Sequence, residues 1–347
     1  MKKYYFHKSF SNEFLRVKDN FFLENNYLLK KEIIDAEELK KCPKRIYCII
    51  CEEKIENERK YFAKHGIKYL ICSNCGHLQA EFIANNAYQD YIFQKQDYTE
   101  TTYKKSANSE ESISERINSI DMPKAMFILN SLEEISKQDE KGAKFLDVGC
   151  GSGFFLKALN KLGVRDIHGC DYSLDQLENA KRVAPNSKLD STDNDSIHKI
   201  FKNKEPDVVT MLGSLEHFSS PTEIIKSITA IESIRFVVIA VPTFSLSTLI
   251  EGTSYNTWAR QLSSSHTHLF SDESLDYLMS KNGFKAYCSW LYGQDSIDLS
   301  RMILQEIEGS DEFKTDVKEL LKKSLNILQK ACDESKLSSE IMSIYYR

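Results

Sequence analysis

The stretch "FLDVGCGSGFFLKAL", residues 145–159, decides the fold. Around Asp147 it is apolar on both sides, the pattern of a short strand covered on both faces, and "FFLKALNKLG" reads as a helix closed by Gly163. Gly149, Gly151 and Gly153 stand between them, where a backbone without side chains can turn tightly and approach a ligand. Asp171, 22 residues past Gly149, ends the next strand, "RDIHGCD", and is placed to accept hydrogen bonds from ribose hydroxyls. A dinucleotide site predicts Gly or Ala at the sixth position of the glycine motif. Phe154 stands there instead, which disfavours a pyrophosphate site and close helix–strand packing at that point.

Outward from this stretch, strands and helices alternate. A third strand is expected near "SKLDS", and "PDVVTMLG" and "IRFVVIAV" read as two more, separated by the helix "PTEIIKSITAIE" with Pro221 in its first turn. The alternation predicts an α/β fold with a mostly parallel sheet covered on both faces. Then come a helix in "SDESLDYLMSKNG", capped by Ser271 with Ser274 in place of the usual Glu, and a strand in "FKAYCSWLYG". Amphipathic helices are expected at about 298–308 and 314–333, and "EIMSIYYR" suits a last strand. Upstream, four segments are expected: an extension at 1–41, a cysteine module at 42–80, a helical connector at 81–140, and the main domain at 141–347. In the extension "FFLENNYLL", residues 21–29, reads as a hairpin around Asn25-Asn26, and Met122, Ala125, Met126, Ile128, Leu129, Leu132 and Ile135 mark a connector helix.

The 347 residues are 41% hydrophobic and 28% charged, with 46 Lys and Arg against 51 Asp and Glu. A formal charge of −5 offers no global attraction to nucleic acid. The longest apolar run is Phe236 to Val241, far below the roughly 18 residues needed to span a bilayer, so no membrane insertion is expected. No apolar secretory segment follows "MKKYYFHKSF", and the expectation is a cytoplasmic protein. In such a reducing setting Cys150, Cys170 and Cys288 read as small buried hydrophobes.

The run Asp147-Val-Gly-Cys-Gly-Ser-Gly153 closely resembles the first motif of class I S-adenosylmethionine (SAM) methyltransferases, and "CDYS" with Asp171 resembles their acidic second motif. "DVVTMLGSLEHFSSP", 207–221, resembles the fourth strand and following loop of the UbiG-like branch. The resemblance covers about 141–290. It implies a Rossmann-like seven-stranded sheet ending in an antiparallel hairpin, and SAM as cofactor. By that resemblance Asp147, Gly149, Cys150, Gly151 and Gly153 form the loop facing the methionine part. Asp171 holds the ribose, Tyr172 lies on adenine, Asp193 reaches the adenine amine, and Leu212 and Gly213 complete the set.

Cys48-x-x-Cys51 and Cys72-x-x-Cys75, 20 residues apart, suit a tetrahedral four-thiolate zinc site, since each short spacing presents two sulfurs to one ion. A redox device calls for a single pair on a strand-to-helix turn, and disulfides do not suit a reducing compartment. Four protein ligands leave no open position, so this zinc is structural. Cys42 and His77 are alternative ligands by proximity. A cysteine module ahead of such a domain resembles bacterial sugar and surface-polysaccharide methyltransferases, which show a "C-x-x-C-G-L-V-Q" where this chain has "CSNCGHLQ".

Candidate bases are His217, beside Glu216, and His266 and His268 in "SSSHTHLFSDESL". Each has a structural alternative as a pocket wall, cap or loop hydrogen bond. His266 matches the histidine of an "E-H" segment in zinc-containing sugar C-methyltransferases, but Ser265 replaces the Glu. Tyr255 and Trp258 could wall an acceptor pocket, and Arg260 could pair with a nucleotide diphosphate. The leading reading is methylation of a sugar, nucleotide-linked or within a glycan. An RNA methyltransferase is the alternative suggested by nine Lys and Arg against four Glu in residues 40–68, although the acidic whole chain makes a nucleic-acid partner disfavoured. A small-molecule O- or N-methyltransferase and a catalytically silent scaffold complete the alternatives.

Overall fold

The computed structural model describes residues 2–7, 10, 15, 25–55, 60–93, 109–193, 196–262 and 265–347. The N-terminal part comprises β1 (Lys3–Phe6), α1 (Asn25–Leu39), β2 (Tyr61–Lys64), β3 (Ile67–Ile71), β4 (Leu78–Ala80) and α2 (Asn86–Phe93). Next come α3 (Glu110–Arg116), a π-helical turn at Ile117–Asp121, and α4 (Met122–Ser136). The alternating part runs β5 (Lys144–Val148), α5 (Phe154–Lys161), β6 (Asp166–Asp171), α6 (Leu174–Val183), β7 (Lys188–Ser191), α7 (Ile197–Lys204), β8 (Val208–Leu212), α8 (Pro221–Thr229) and β9 (Phe236–Pro242). It closes with α9 (Leu246–Thr253), β10 (His268–Leu269), α10 (Asp272–Lys281), β11 (Lys285–Tyr292), α11 (Asp295–Glu306), α12 (Asp311–Lys322), α13 (Leu325–Glu334) and β12 (Glu340–Tyr346).

The main sheet has the order β1-β11-β12-β9-β8-β5-β6-β7. From β9 to β7 every pairing is parallel, while β12 is antiparallel to both neighbours. This is the expected Rossmann-like methyltransferase sheet with one addition: β1 pairs parallel to β11 at the outer edge. An eighth strand covers backbone groups that the edge would otherwise expose. Side chains alternate along the buried strands. Phe145 joins Ile128, Leu132 and Phe154 on one face, whereas Leu146 and Val148 join Ile225, Ile228 and Leu275 on the other. Cys48, Cys72 and Cys75 belong to that second core, so the cysteine module is packed into the domain. A smaller antiparallel sheet, β10-β4-β3-β2, fastens it there, with His268 opposite Gln79 and Leu269 opposite Leu78.

Two sequence expectations are corrected. Residues 21–24 lie outside the described set, and from Asn25 onward the expected hairpin is the helix α1. Its buried Glu32, Asp35, Ala36 and Leu39 recur at helical spacing, a pattern hidden by two of them being acidic. The expected helix 314–333 is broken between Lys322 and Leu325, giving α12 and α13. Ser271 and Ser274 form the expected capping box of α10. Among the described residues no helix is long and apolar enough to cross a membrane.

Candidate functional site

The loop after β5 is shaped by its neighbours on β6. The N–H groups of Gly149 and Cys150 donate to the Cys170 carbonyl at 2.8 and 3.0 Å. The Asp171 carboxylate accepts from Gly151 N–H and from Ser173 N–H, each at 2.8 Å. Burial raises the Asp171 pKa, and these backbone donors oppose the rise. Gly149 has φ +77°, and a Cβ there would lie 2.5 Å from Cβ of Ser214, so glycine is demanded twice over. The close helix–strand approach that Phe154 argued against is achieved from the strand side: a Cβ on Gly169 would meet Leu156 Cδ1 at 2.7 Å.

Between this loop and α2 lies a cavity of about 340 Å³. Gly149, Gly151, Asp171, Tyr172, Asp193 and Gly213, six of the cofactor candidates from the sequence, line it. Sequence reasoning missed Ser173, Gln176, Thr192, Ser214, Phe218 and the α2 residues Asn86, Gln89 and Asp90. The α2 residues carried no signal, because that helix read only as connector. They are locked in place: Tyr172 Oη donates to Asp90 at 2.6 Å and Gln89 donates to the His217 carbonyl at 3.0 Å. Asp193 accepts from Ser196 N–H at 2.7 Å. Asp147, Cys150, Gly153 and Leu212 do not line the cavity. Asp147 accepts from Thr210 Oγ1 at 2.6 Å and ties β5 to β8, its pKa pushed up to about 7 by burial. Gly153 lets α5 approach Ala180 of α6.

Among the described lining residues are three carboxylates, Asp90, Asp171 and Asp193, and no Lys or Arg. Such a cavity suits a cationic nucleoside and repels a pyrophosphate. The glycine cradle and this charge pattern therefore fit SAM, whose sulfonium is positive.

At the cavity's other wall the turn Leu215–His217 follows β8. His217 lines the cavity, and its ring stands 5.0 Å from that of His266. His217 Nδ1 faces the Ser265 carbonyl and His266 Nδ1 the Gln261 carbonyl, each at 3.1 Å. Burial lowers the pKa of both, His217 to about 4. Glu216 is 3% exposed, and burial pushes its carboxyl up to about 8. The loop carrying His266 is held by the Glu251 carboxylate, which accepts from the N–H groups of Arg260, Gln261 and Leu262.

His268, the third candidate base, is placed differently. It is buried in β10, outside the cavity lining, with Nδ1 3.1 Å from Nε2 of His77. Tyr255, Trp258 and Arg260, expected at the acceptor, are not among the residues that line the cavity. Tyr255 is 65% exposed, Trp258 packs under the Arg301 guanidinium, and Arg260 is paired with Asp298 at 2.7 Å and with Ser339.

The four cysteines converge. The Cys48 and Cys75 sulfurs are 3.6 Å apart, those of Cys51 and Cys72 3.5 Å, and all four lie within 4.8 Å of one another. Zinc–sulfur bonds of about 2.3 Å in a tetrahedron need sulfurs about 3.8 Å apart, so this set fits a zinc ion. Cys42 and His77 are not in the cluster: Cys42 faces Glu38 and Asn85, and His77 faces Ser274 and His268.

The chain's similarity to known proteins is partial. Two curated relatives are both described as a ubiquinone biosynthesis O-methyltransferase. The one from Actinobacillus pleuropneumoniae serotype 7 is 32% identical over 97 residues, 26% of this chain and 41% of the relative. The one from Neisseria meningitidis serogroup C is 29% identical over 93 residues, 26% of this chain and 39% of the relative. The chain thus spans about two fifths of the length of the curated relatives it matches. Among solved structures, the plantazolicin methyltransferase BamL is 16% identical with a TM-score of 0.49, covering 75% of this chain and 94% of its own. Residues 122–289, just under half of the chain, match the family model described as a methyltransferase domain.

Proposed function

We propose that the protein is a SAM-dependent methyltransferase that methylates a hydroxyl of a small-molecule acceptor. The observation that carries this reading is the cavity itself, a glycine cradle with three carboxylates and no lysine or arginine among its described lining residues. SAM supplies an electrophilic methyl group. On this reading Gly149 and Gly151 hold the amino-acid part, Asp171 takes the ribose hydroxyls, Tyr172 lies against adenine, and Asp193 meets the adenine amine. On this reading His217, which lines the cavity, or His266, whose ring stands 5.0 Å from it, takes the proton of an acceptor hydroxyl on Nε2. The curated relatives' description as O-methyltransferases supports oxygen as the accepting atom. The four cysteines would hold a structural zinc that fixes β2 to β4 against the domain.

A sugar, nucleotide-linked or within a glycan, is the acceptor class we propose first. The RNA alternative is weakened by how the basic segment uses its charges. Lys64 is buried beside Glu32, Lys40 and Lys41 pair with Glu37 and Glu38, and Arg45 donates to the Ala80 carbonyl. Calorimetry with SAM tests the cofactor: micromolar binding in the parent, weakened about tenfold or more in Asp171→Ala, is the expected result, and equal affinity in both would refute the ribose contact. Mass spectrometry of activated sugars incubated with enzyme and SAM tests the acceptor, through a gain of one methylene mass. A panel of phenols showing that gain while the sugars do not would overturn the sugar assignment.

A further inference from the structure

We propose that the exposed flank of α12 and α13 is the contact surface of a homodimer, in which these helices from two copies of the chain pair antiparallel across a two-fold axis. α12 is amphipathic, yet it buries none of its residues. Phe313 is 50% exposed, Leu320 65% and Ile327 73%. They fall 7 residues apart, so each stands about two turns beyond the last on one flank. The break between the helices does not interrupt that row. Lys323 (φ −65°, ψ −26°) and Ser324 (φ −102°, ψ −8°) keep right-handed backbone, and the inward row Val317, Leu321, Leu325, Gln329 and Cys332 runs through the break at helical spacing. Single exposed apolar side chains are ordinary on a protein surface; a row of three large ones at a fixed repeat marks a contact face.

The charges between these residues point to a second copy as the occupant. Asp316 stands one turn before Leu320 and Lys323 one turn after it. Neither has an ion-pair partner among the described residues, whereas Lys322 and Glu319 beside them pair with each other at 3.9 Å. With the two-fold axis at Leu320, antiparallel helices bring Leu320 onto Leu320 of the second copy and Phe313 onto its Ile327. The same pairing sets Asp316 against Lys323 of the second copy, and symmetry repeats every contact. A parallel pairing would set like charges together instead, so the pattern selects the antiparallel one. A membrane surface asks for a broad apolar face and a basic polar one. Here the row is one residue wide, and its surroundings mix Asp311, Glu312 and Glu319 with Lys314 and Lys322. One pair of helices covers less than the roughly 1,600 Å² of a standard interface, so association in the micromolar range is expected.

Sedimentation velocity of the full chain, from low-micromolar to near-millimolar concentration, tests the surface. The parent should pass from monomer to dimer. Leu320→Asp sets two carboxylates together at the axis and should leave a monomer throughout, with thermal unfolding unchanged because the side chain is exposed. Asp316→Lys and Lys323→Asp, made singly, each oppose like charges and should weaken the dimer several-fold. Mixed in equal amounts, these two variants restore both opposite-charge pairs and should regain the dimer mass. SAM affinity should not change in any of them, since no residue of α12 or α13 lines the cavity. A parent monomeric at every concentration would overturn the proposal, and co-sedimentation of that monomer with anionic phospholipid vesicles would assign the flank to a membrane surface instead. A dimer that survives Leu320→Asp, or single variants that do not recover on mixing, would equally overturn it.

Discussion

The glycine-loop wall of the cavity and its histidine wall are built on different plans. In the first, residues 147–153 meet residues 169–173 of the next strand and turn, and the shape follows from a few backbone hydrogen bonds between adjacent parallel strands. In the second, His217 after β8 meets a loop near residue 266. Glu251 of α9 holds that loop, Asp298 of α11 anchors its Arg260, and the cysteine module braces its far end through β4 and β10. Even α1 takes part, Glu32 accepting the N–H of Ala259 at 2.9 Å. One wall is local and self-contained. The other is a junction of segments far apart in the chain, and it should fail when any one of them loosens.

The largest effect should come from the cysteine cluster. A structural zinc site can contribute on the order of 10 kcal/mol to the fold of its module. Cys72→Ser, or removal of metal by a chelator, should therefore open residues 42–80 and the loop before β10 to limited proteolysis. SAM binding at the glycine loop should persist. Equal protease resistance in variant and parent would break the proposed division between the walls.

Next in size is the glycine loop itself. Gly149→Ala forces a side chain into a left-handed backbone, at about 1–2 kcal/mol, and into contact with Ser214. Gly213→Ala meets the same backbone strain at φ +78°, but its nearest neighbour would be 3.7 Å away. Isothermal titration should find SAM affinity hit much harder by the first change than by the second. Similar losses would mean that backbone strain alone, without the Ser214 contact, governs the loop.

Asp171→Ala removes the acceptor of two backbone N–H groups, each bond to a charged group being worth roughly 1.5–3 kcal/mol. SAM affinity should fall by a factor of about 10 or more, while proteolysis of residues 42–80 is unchanged. The smallest effect tests the seam between the walls. Ser271 caps α10 and lies near Gly76 of the cysteine module, so Ser271→Ala should cost about 1 kcal/mol in thermal unfolding and leave SAM binding intact.

How legible each region was in the sequence follows the same division. The parallel strands were readable because each carries its own apolar run, and the glycine positions because positive φ has few other tenants. Helix α1 was misread because its buried face includes Glu32 and Asp35, whose burial makes sense only with Ala259, Lys64 and Tyr91 brought alongside. Arg260 looked available to a ligand and is consumed by Asp298, 38 residues downstream. The role of α2 had no signature, since Asn86, Gln89 and Asp90 acquire meaning only by standing over the glycine loop.

By itself, then, the amino-acid order determined the sheet core, the glycine turn with its acidic partner, and the two cysteine pairs, because each depends on neighbours within one supersecondary unit. Only the tertiary structure decided that Glu216, His217 and His266 converge, that His268 belongs to the packing against His77, and that the cysteine module is continuous with the domain core. Those outcomes rest on contacts between residues some 50 to 200 positions apart, where spacing along the chain carries no information about distance in space.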